Sequence, residues 1–209
     1  MMKKIVILGY GGHAKSVMDC LRSIGSYEVV GYTDVEDKQA SIPYLGTDDQ
    51  LKALFESGVQ TAVFGMGYMG KSLLRDKLYE WVKRIGFELP IVVDPSAVIA
   101  QDVSIGEGTI IGKRAVVNAD SHIGRMCIIN TGSIVEHENN VADFSHIAVG
   151  AVLCGNVSVG DHCLIGANST VLQGIRVGSS SIVGAGSVVL SDVGDHVTVM
   201  GIPAKEKRN

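Results

Sequence analysis

The sequence predicts two domains: an α/β domain over residues 1–94 and a parallel β-solenoid over residues 95–209. In the first stretch, short apolar runs alternate with segments of helical spacing, a pattern typical of a parallel sheet flanked by helices. In the second, every sixth residue from Ile99 to Val189 is Ile, Val or Leu without interruption. A period of six fits neither a helix nor simple strand alternation, and it indicates a repeat architecture.

The first domain is expected to alternate strands and helices. Val17, Leu21 and Ile24 have the spacing of one helix face, and Thr47 is a suitable N-cap for the next helix. Strands are predicted at 3–8, 27–32, 61–64 and 89–93, and helices at 13–24, 47–57 and 70–85.

A glycine-rich turn, Gly9-Tyr10-Gly11-Gly12-His13-Ala14, follows the first predicted strand. With Asp34 at the end of the second strand, it matches a nucleotide-binding fingerprint. Its glycines let backbone N–H groups approach a phosphate at a helix N-terminus. Because four strands make about half of a full dinucleotide fold, we expect one nucleotide and not an NAD-dependent oxidoreductase. The alternative to nucleotide binding is that this turn only allows the strand to pack tightly against the helix.

The hexads of the second domain fit a short strand plus a corner, with three such units closing one triangular coil. The aliphatic residues point inward, and small residues two positions earlier fill the remaining interior. Glycine or asparagine after the aliphatic residue is expected to supply a corner conformation that bulky residues resist. Each coil buries its inner face only against neighbouring coils, so many coils are required.

Composition narrows the class of protein. A net charge of −4 argues against nucleic acid as the main partner. There is no apolar run long enough for a membrane helix and no signal-peptide layout, so we expect a cytoplasmic protein without membrane insertion. The four cysteines lack metal or redox spacing, and no metal is expected. Cys127 and Cys163 are two coils apart and are expected to be reduced core residues, as is Cys20 in the first helix.

One corner departs from the chemistry of the repeat, because Glu136, His137 and Glu138 stand where most hexads carry small residues. Gly155 lies one coil further along, beside His137. A base, a carboxylate that orients it and a backbone amide for an oxyanion are what acyl transfer requires. A plain surface histidine is the alternative for His137.

The other candidates near this corner are less favoured. His146 is half a coil away, so it belongs to a different face and reaches either a neighbouring subunit's site or the cleft along one edge. His122 and His162 lack acidic neighbours and are expected at the surface. Cys154 is a rival nucleophile, but the lack of a nearby positive charge favours an inert thiol.

Across nearly its whole length the chain resembles the bacterial sugar acyltransferases of the PglD/NeuD type. The resemblance rests on the Gly9–His13 turn, the hexads, the segment from Asn130 to Glu138, and Gly201-Ile202-Pro203-Ala204-Lys205. It implies a left-handed β-helix and a homotrimer with sites between adjacent β-helices. Two stretches differ from frequent family patterns: Asp34-Val35 replaces paired acids, and Gly65-Met66-Gly67 replaces Gly-Asn-Asn.

The resemblance also implies roles for single residues. His137 would be the general base and Glu138 its partner, while His146, Gly155 and Ala167 would contact acetyl-CoA. A UDP-linked amino sugar would be held by Gly9, Gly11, Gly12, His13, Asp34 and Gly65.

The expected function is an acetyl-CoA-dependent N-acetyltransferase that acts on a UDP-linked 4-amino-4,6-dideoxy sugar in bacterial surface glycan biosynthesis. One alternative is an O-acetyltransferase on sialic acid or another surface sugar. Another, from a different class, is a non-catalytic solenoid that binds nucleotide sugars.

Overall fold

The computed structural model describes residues 2–70 and 73–207. These residues form two compact units, one of residues 2–67 with 73–95 and one of residues 68–70 with 96–207. The short stretch 68–70 therefore clusters with the second unit, although the sequence around it belongs to the first. In the described ranges, no helix is long and apolar enough to cross a membrane.

The first unit is built on a three-stranded parallel sheet in which the first strand of the chain lies between the second and the third. Its strands are β1 (Lys3–Leu8), β2 (Tyr27–Thr33) and β3 (Thr61–Phe64). Its helices are α1 (Gly12–Ile24), α2 (Leu51–Glu56, preceded by a 3₁₀ turn at Asp48–Gln50) and α3 (Leu74–Ile85). All four residues of β3 are buried, as are Ile5, Val6, Ile7 and Leu8 of β1, so the centre of the sheet is the core.

Two predictions about this unit need correction. The segment 89–93 does not add a fourth strand to the described sheet: Glu88 makes a single bridge to Thr61, and only Val92–Val93 is extended. Pro90 interrupts the run, because proline has no N–H for a strand ladder. The helix predicted at 70–85 begins at Leu74, and residues 71 and 72 of the prediction lie outside the described residues.

The second unit is a left-handed parallel β-helix with three faces. The first face holds Ile110–Ile111, Ile128–Ile129, His146–Ile147, Leu164–Ile165, Ile182–Val183, Thr198–Gly201 and Ala204–Glu206. The second holds Val98–Ile99, Val116–Val117, Ile134–Val135, Val152–Leu153, Thr170–Val171 and Val188–Val189. The third holds Ser104–Ile105, His122–Ile123, Asn140–Val141, Ser158–Val159 and Arg176–Val177.

The strand register confirms the predicted 18-residue coil. Ile134 pairs with Val152 and Asn140 with Ser158, each pair 18 residues apart on parallel strands. The hexad aliphatics point inward as predicted, and Val135, for example, is fully buried.

The small interior residues are hydrogen-bond donors as well as fillers. Ser145 Oγ donates to the carbonyl oxygen of Gly160 at 2.7 Å, and Cys163 Sγ donates to that of Gly178 at 3.0 Å. Burial raises the pKa of the Cys163 thiol to about 11, so it stays protonated as a donor. These bonds satisfy carbonyl groups that the closely stacked corners remove from water.

The corner glycines serve two purposes, and the predicted one applies to a different position. Glycines directly after the aliphatic residue allow close stacking: a Cβ placed on Gly160 would lie 2.6 Å from the backbone nitrogen of Ser179. The left-handed conformation falls two residues later, at Glu138 (φ 59°), Asn156 (φ 56°) and Gly186 (φ 67°), for example. The reason for glycine after the aliphatic residue is therefore contact between coils, not φ.

We predict that Gly160→Ala destabilises the β-helix more than Gly186→Ala does. The first change forces a methyl group against Ser179 backbone and should lower the free energy of unfolding by about 2–3 kcal/mol. The second meets open space and should lower it by about 1 kcal/mol for the left-handed φ. Urea unfolding of both variants measures the difference, and equal losses would contradict the stacking explanation.

Candidate active site

The unusual corner presents a histidine bonded to a carboxylate. His137 Nδ1 lies 2.9 Å from Glu138 Oε2, and the two side chains are 51% and 61% exposed. An ionised carboxylate only accepts, so Nδ1 carries the proton and Nε2 keeps its lone pair. The Glu136 carboxylate accepts from the His137 backbone N–H at 3.4 Å. The corner thus holds the imidazole in the tautomer whose Nε2 can take a proton.

Gly155 lies directly against this imidazole. A Cβ placed on Gly155 would be 2.6 Å from His137 Nε2, so only glycine leaves room for the ring. The Gly155 carbonyl accepts from Gly174 N–H at 3.0 Å, whereas the Gly155 N–H has no acceptor within the described residues. A basic nitrogen and an available backbone donor therefore occur side by side.

The structure keeps His146 apart from His137. His146 belongs to the first face and is only 7% exposed. Its Nδ1 lies 2.7 Å from the Tyr68 carbonyl oxygen, and its Nε2 lies 3.0 Å from Asn130 Nδ2. Since a carbonyl oxygen only accepts, His146 donates through Nδ1 and accepts from Asn130 through Nε2. Both ring nitrogens are engaged, and a role in binding acetyl-CoA stays a prediction.

Ala167 lies at another edge of the β-helix. It follows Leu164–Ile165 of the first face, so it occupies the corner between the first and second faces. His137 and Gly155 occupy the corner between the second and third faces. A single chain therefore does not bring Ala167 to His137. The Ala167 N–H, like that of Gly155, lacks an acceptor in the described part of the chain.

The predicted substrate residues of the first unit do come together. Gly9, Gly11, Gly12, His13, Asp34 and Gly65 all line one cavity of about 410 Å³. A Cβ on Gly11 or Gly12 would meet nothing within 4 Å, so these two glycines leave the cavity open to a ligand. Gly65 differs, since its Cβ would lie 2.8 Å from Ala14 Cβ. Gly65 is therefore explained by close packing of the backbone. Gly11 and Gly12 fit the prediction that glycines let a ligand approach the backbone.

Asp34 links the glycine turn to the end of β2. Its Oδ2 accepts from Tyr10 N–H at 2.7 Å, and its Oδ1 accepts from Val35 N–H at 2.7 Å. Asp34 thereby shapes the turn, and the predicted contact with a ligand stays a prediction.

The cavity also contains charged residues that sequence reasoning missed. Asp48 accepts from Thr33 Oγ1 at 2.6 Å, and burial, with a contribution from Asp34, raises its pKa. Lys38 lines the same cavity and a neighbouring cleft of about 540 Å³, which Lys15 and Arg22 also line. Lys15 and Arg22 are seven residues apart on α1, and this spacing could have placed both cations on one face of the predicted helix. Lys38 comes from an irregular segment, and Asp48 begins the short 3₁₀ turn ahead of the apolar residues of α2, so neither carries such a signal.

Comparisons with known proteins agree with this description. Residues 4–82 match the PglD N-terminal domain, and residues 156–191 match the hexapeptide repeat of succinyl-transferase. No protein of curated function matches the sequence significantly. A histidine mutant of GDP-perosamine N-acetyltransferase from Caulobacter crescentus, in complex with CoA and GDP-perosamine, has 35% identity and a TM-score of 0.93, covering 100% of this chain and 99% of its own.

Two further solved structures are similar. The acetyltransferase domain of PglB from Neisseria gonorrhoeae FA1090, in complex with acetyl coenzyme A, has 30% identity and a TM-score of 0.89, covering 99% of this chain and 100% of its own. WeeI from Acinetobacter baumannii AYE shares the fold at 24% identity and a TM-score of 0.78, covering 97% and 99%. The chain belongs to the PglD-type family of hexapeptide-repeat sugar acetyltransferases and is an acyltransferase.

No group of three or more potential metal ligands (His, Cys, Asp or Glu) occurs within residues 2–70 and 73–207.

We predict that Asp48→Asn raises the melting temperature at pH 7 by about 2 °C and leaves it unchanged at pH 3. Because burial raises the folded-state pKa, the neutral carboxyl favours folding, and this contribution is lost as pH rises through that pKa. Asparagine keeps an acceptor for Thr33 and removes the charge. Asp102→Asn, an exposed aspartate of the second unit, is the control and should change neither value. A lower melting temperature for Asp48→Asn at pH 7 would contradict the sign.

Proposed function

We propose that this sugar acetyltransferase transfers the acetyl group of acetyl-CoA to the amino group of a nucleotide-linked 4-amino-4,6-dideoxy sugar. The observation that carries the proposal is the His137–Glu138 pair with its Nε2 beside the available Gly155 N–H. In this proposal the reaction takes place in the cytoplasm and is one step of surface glycan biosynthesis.

The geometry supports direct transfer with a histidine base. As the sugar amine attacks the thioester carbonyl, His137 Nε2 accepts the amine proton, and Glu138 stabilises the imidazolium through Nδ1–H. The Gly155 N–H donates to the oxyanion of the tetrahedral intermediate. The carbon–sulfur bond then breaks, and CoA leaves as the thiolate, which the imidazolium proton neutralises. Every step uses groups at one corner, and none requires the Cys154 thiol.

The first unit supports a nucleoside diphosphate as the handle of the acceptor. Gly11 and Gly12 leave the cavity open at the start of α1, and Lys15 supplies positive charge in the neighbouring cleft. Lys38 lines both, with its ammonium 2.7 Å from a Glu36 carboxylate oxygen. Phosphate groups are favoured at such a helix N-terminus. The family resemblance favours UDP. GDP is the second candidate, because the similar enzyme from Caulobacter crescentus was solved with GDP-perosamine.

The distribution of the site residues supports a trimer. Gly155 and Ala167 have available N–H groups at two different edges, so one chain cannot offer both to the same acetyl-CoA. Closed three-fold symmetry brings one edge of each chain next to a different edge of its neighbour. The complete site then contains His137 from one copy and Ala167 from the next.

We predict that His137→Ala lowers kcat by roughly 10²–10⁴-fold, the contribution of a general base, while nucleotide binding is kept. Release of free CoA thiol is measured against UDP- and GDP-linked 4-amino sugars and against sialic acid. His122→Ala, an exposed histidine on the third face, is the matched control and should keep full activity. Near-wild-type turnover by His137→Ala would remove the base assignment. Acetylation of sialic acid alone would favour the O-acetyltransferase alternative.

We predict that two inactive variants complement each other. His137→Ala removes the base from one edge, and Ala167→Trp blocks the other edge. In co-expressed mixed trimers, an interface is intact only when an Ala167→Trp chain supplies His137 and a His137→Ala chain supplies Ala167. Random mixing of equal amounts makes about one quarter of the interfaces intact, so about a quarter of wild-type activity should return. Mixtures that stay inactive although the chains co-assemble would contradict a shared site.

A further inference from the structure

We propose that Asn139 is a positioning residue for acetyl transfer, because its buried carboxamide holds the two peptide groups that present His137 and the Gly155 N–H. This inference rests on the function proposed above. Asn139 is fully buried inside the β-helix, directly after the catalytic corner, and does not reach the surface where substrates bind.

The hydrogen bonds of Asn139 join two successive coils. Its Nδ2 lies 2.5 Å from the Glu136 carbonyl oxygen and 3.0 Å from the Cys154 carbonyl oxygen. Its Oδ1 accepts from Val157 N–H at 3.1 Å. With a longer contact of 3.5 Å from Nδ2 to the His137 carbonyl oxygen, one side chain thus bonds to four backbone groups, two in its own coil and two in the next. Each carbonyl precedes a residue of the proposed site: Glu136 precedes His137, and Cys154 precedes Gly155.

Because each peptide group is planar, these hydrogen bonds also set the direction of the N–H group that follows each carbonyl. In a trans peptide the C=O and the following N–H point to opposite sides. Holding the Glu136 and Cys154 carbonyls inward therefore directs the N–H groups of His137 and Gly155 outward. The outward His137 N–H reaches the Glu136 carboxylate, and the Gly155 N–H remains available beside the imidazole. Asn139 fixes both orientations at once.

The position of polar residues inside the β-helix supports this assignment. The interior column that contains Asn139 is otherwise mostly apolar, and its members are Val103, Ser121, Asn139, Val157, Ile175 and Val193. The one other polar member, Ser121, donates to the same Glu136 carbonyl at 2.8 Å. Both polar side chains of the column therefore converge on the corner of His137. Ser181, by contrast, donates at 2.7 Å to the carbonyl of Gly194, and the residue that follows Gly194, Asp195, has no role in the proposed site.

The test compares Asn139→Val, Asn139→Ser and the control Ser181→Ala. Valine suits the site sterically, since Val157 fills the equivalent place one coil later, but it removes both donors. Serine keeps one donor, as Ser145 does toward Gly160. We expect kcat to fall about tenfold or more in Asn139→Val and about threefold in Asn139→Ser, with both KM values within about twofold of wild type, because misplacement of reacting groups affects the transition state most. Ser181→Ala should keep kcat within about twofold.

Hydrogen exchange supplies a second readout that does not depend on turnover. In Asn139→Val, the amides of Asn156, which donates to the His137 carbonyl, and Val157, which donates to Asn139 Oδ1, should exchange about tenfold faster than in wild type, and they should be unchanged in Ser181→Ala. An active wild type whose Asn139→Val variant keeps kcat within twofold overturns this inference alone. So does an equal fall in kcat for Ser181→Ala at the same melting temperature. A wild type that acetylates no acceptor overturns the proposed function together with this inference.

Discussion

The closure of the β-helix in 18 residues is the constraint on which the rest of the second unit depends. Residues 18 positions apart pair on parallel strands, as His146 does with Leu164, so each side chain has a fixed neighbour in the next coil. Gly155 meets the His137 ring for this reason. An insertion of a single residue between the two would move every later side chain by one place around the coil and separate the base from its glycine.

Close stacking of coils creates a second requirement, which is to satisfy the backbone groups that it buries. The interior serines, cysteines and threonine meet it with single donors, as Thr109 does toward the Gly124 carbonyl at 2.7 Å. Asn139 is larger and bonds to carbonyls of two successive coils, at the corners that carry His137 and Gly155 of the proposed site. The same physical need that stabilises the repeat thus becomes a means of orienting the proposed site. Structure and catalysis share the hydrogen-bond network of the interior.

Much of this arrangement could be predicted from the sequence, because a repeat makes distant neighbours countable. The six-residue period predicted the solenoid, and the 18-residue coil predicted that His137 and Gly155 are neighbours in successive coils. The prediction that corner glycines supply a special backbone conformation was wrong. A single sequence does not distinguish a glycine needed for its φ angle from one needed for close stacking of coils. Hydrophobicity alone predicted a strand over residues 89–93, but Pro90 lacks the N–H that a strand ladder requires. Lys38 was missed because an irregular segment has no period that places its side chain in a cavity, and Asp48 was missed because it precedes the periodic apolar residues of its predicted helix.

In the proposed function, the two units divide chemistry from recognition. A base, a carboxylate and a backbone N–H suffice to acetylate any well-placed amine, and none of these groups distinguishes one sugar or nucleotide from another. The cavity of the first unit contains an open glycine turn, the Lys38 ammonium and the half-buried Asp48 carboxylate of raised pKa, which are the varied donors and acceptors that selection requires. Specificity for a new acceptor can therefore change in the first unit while the corner chemistry stays the same.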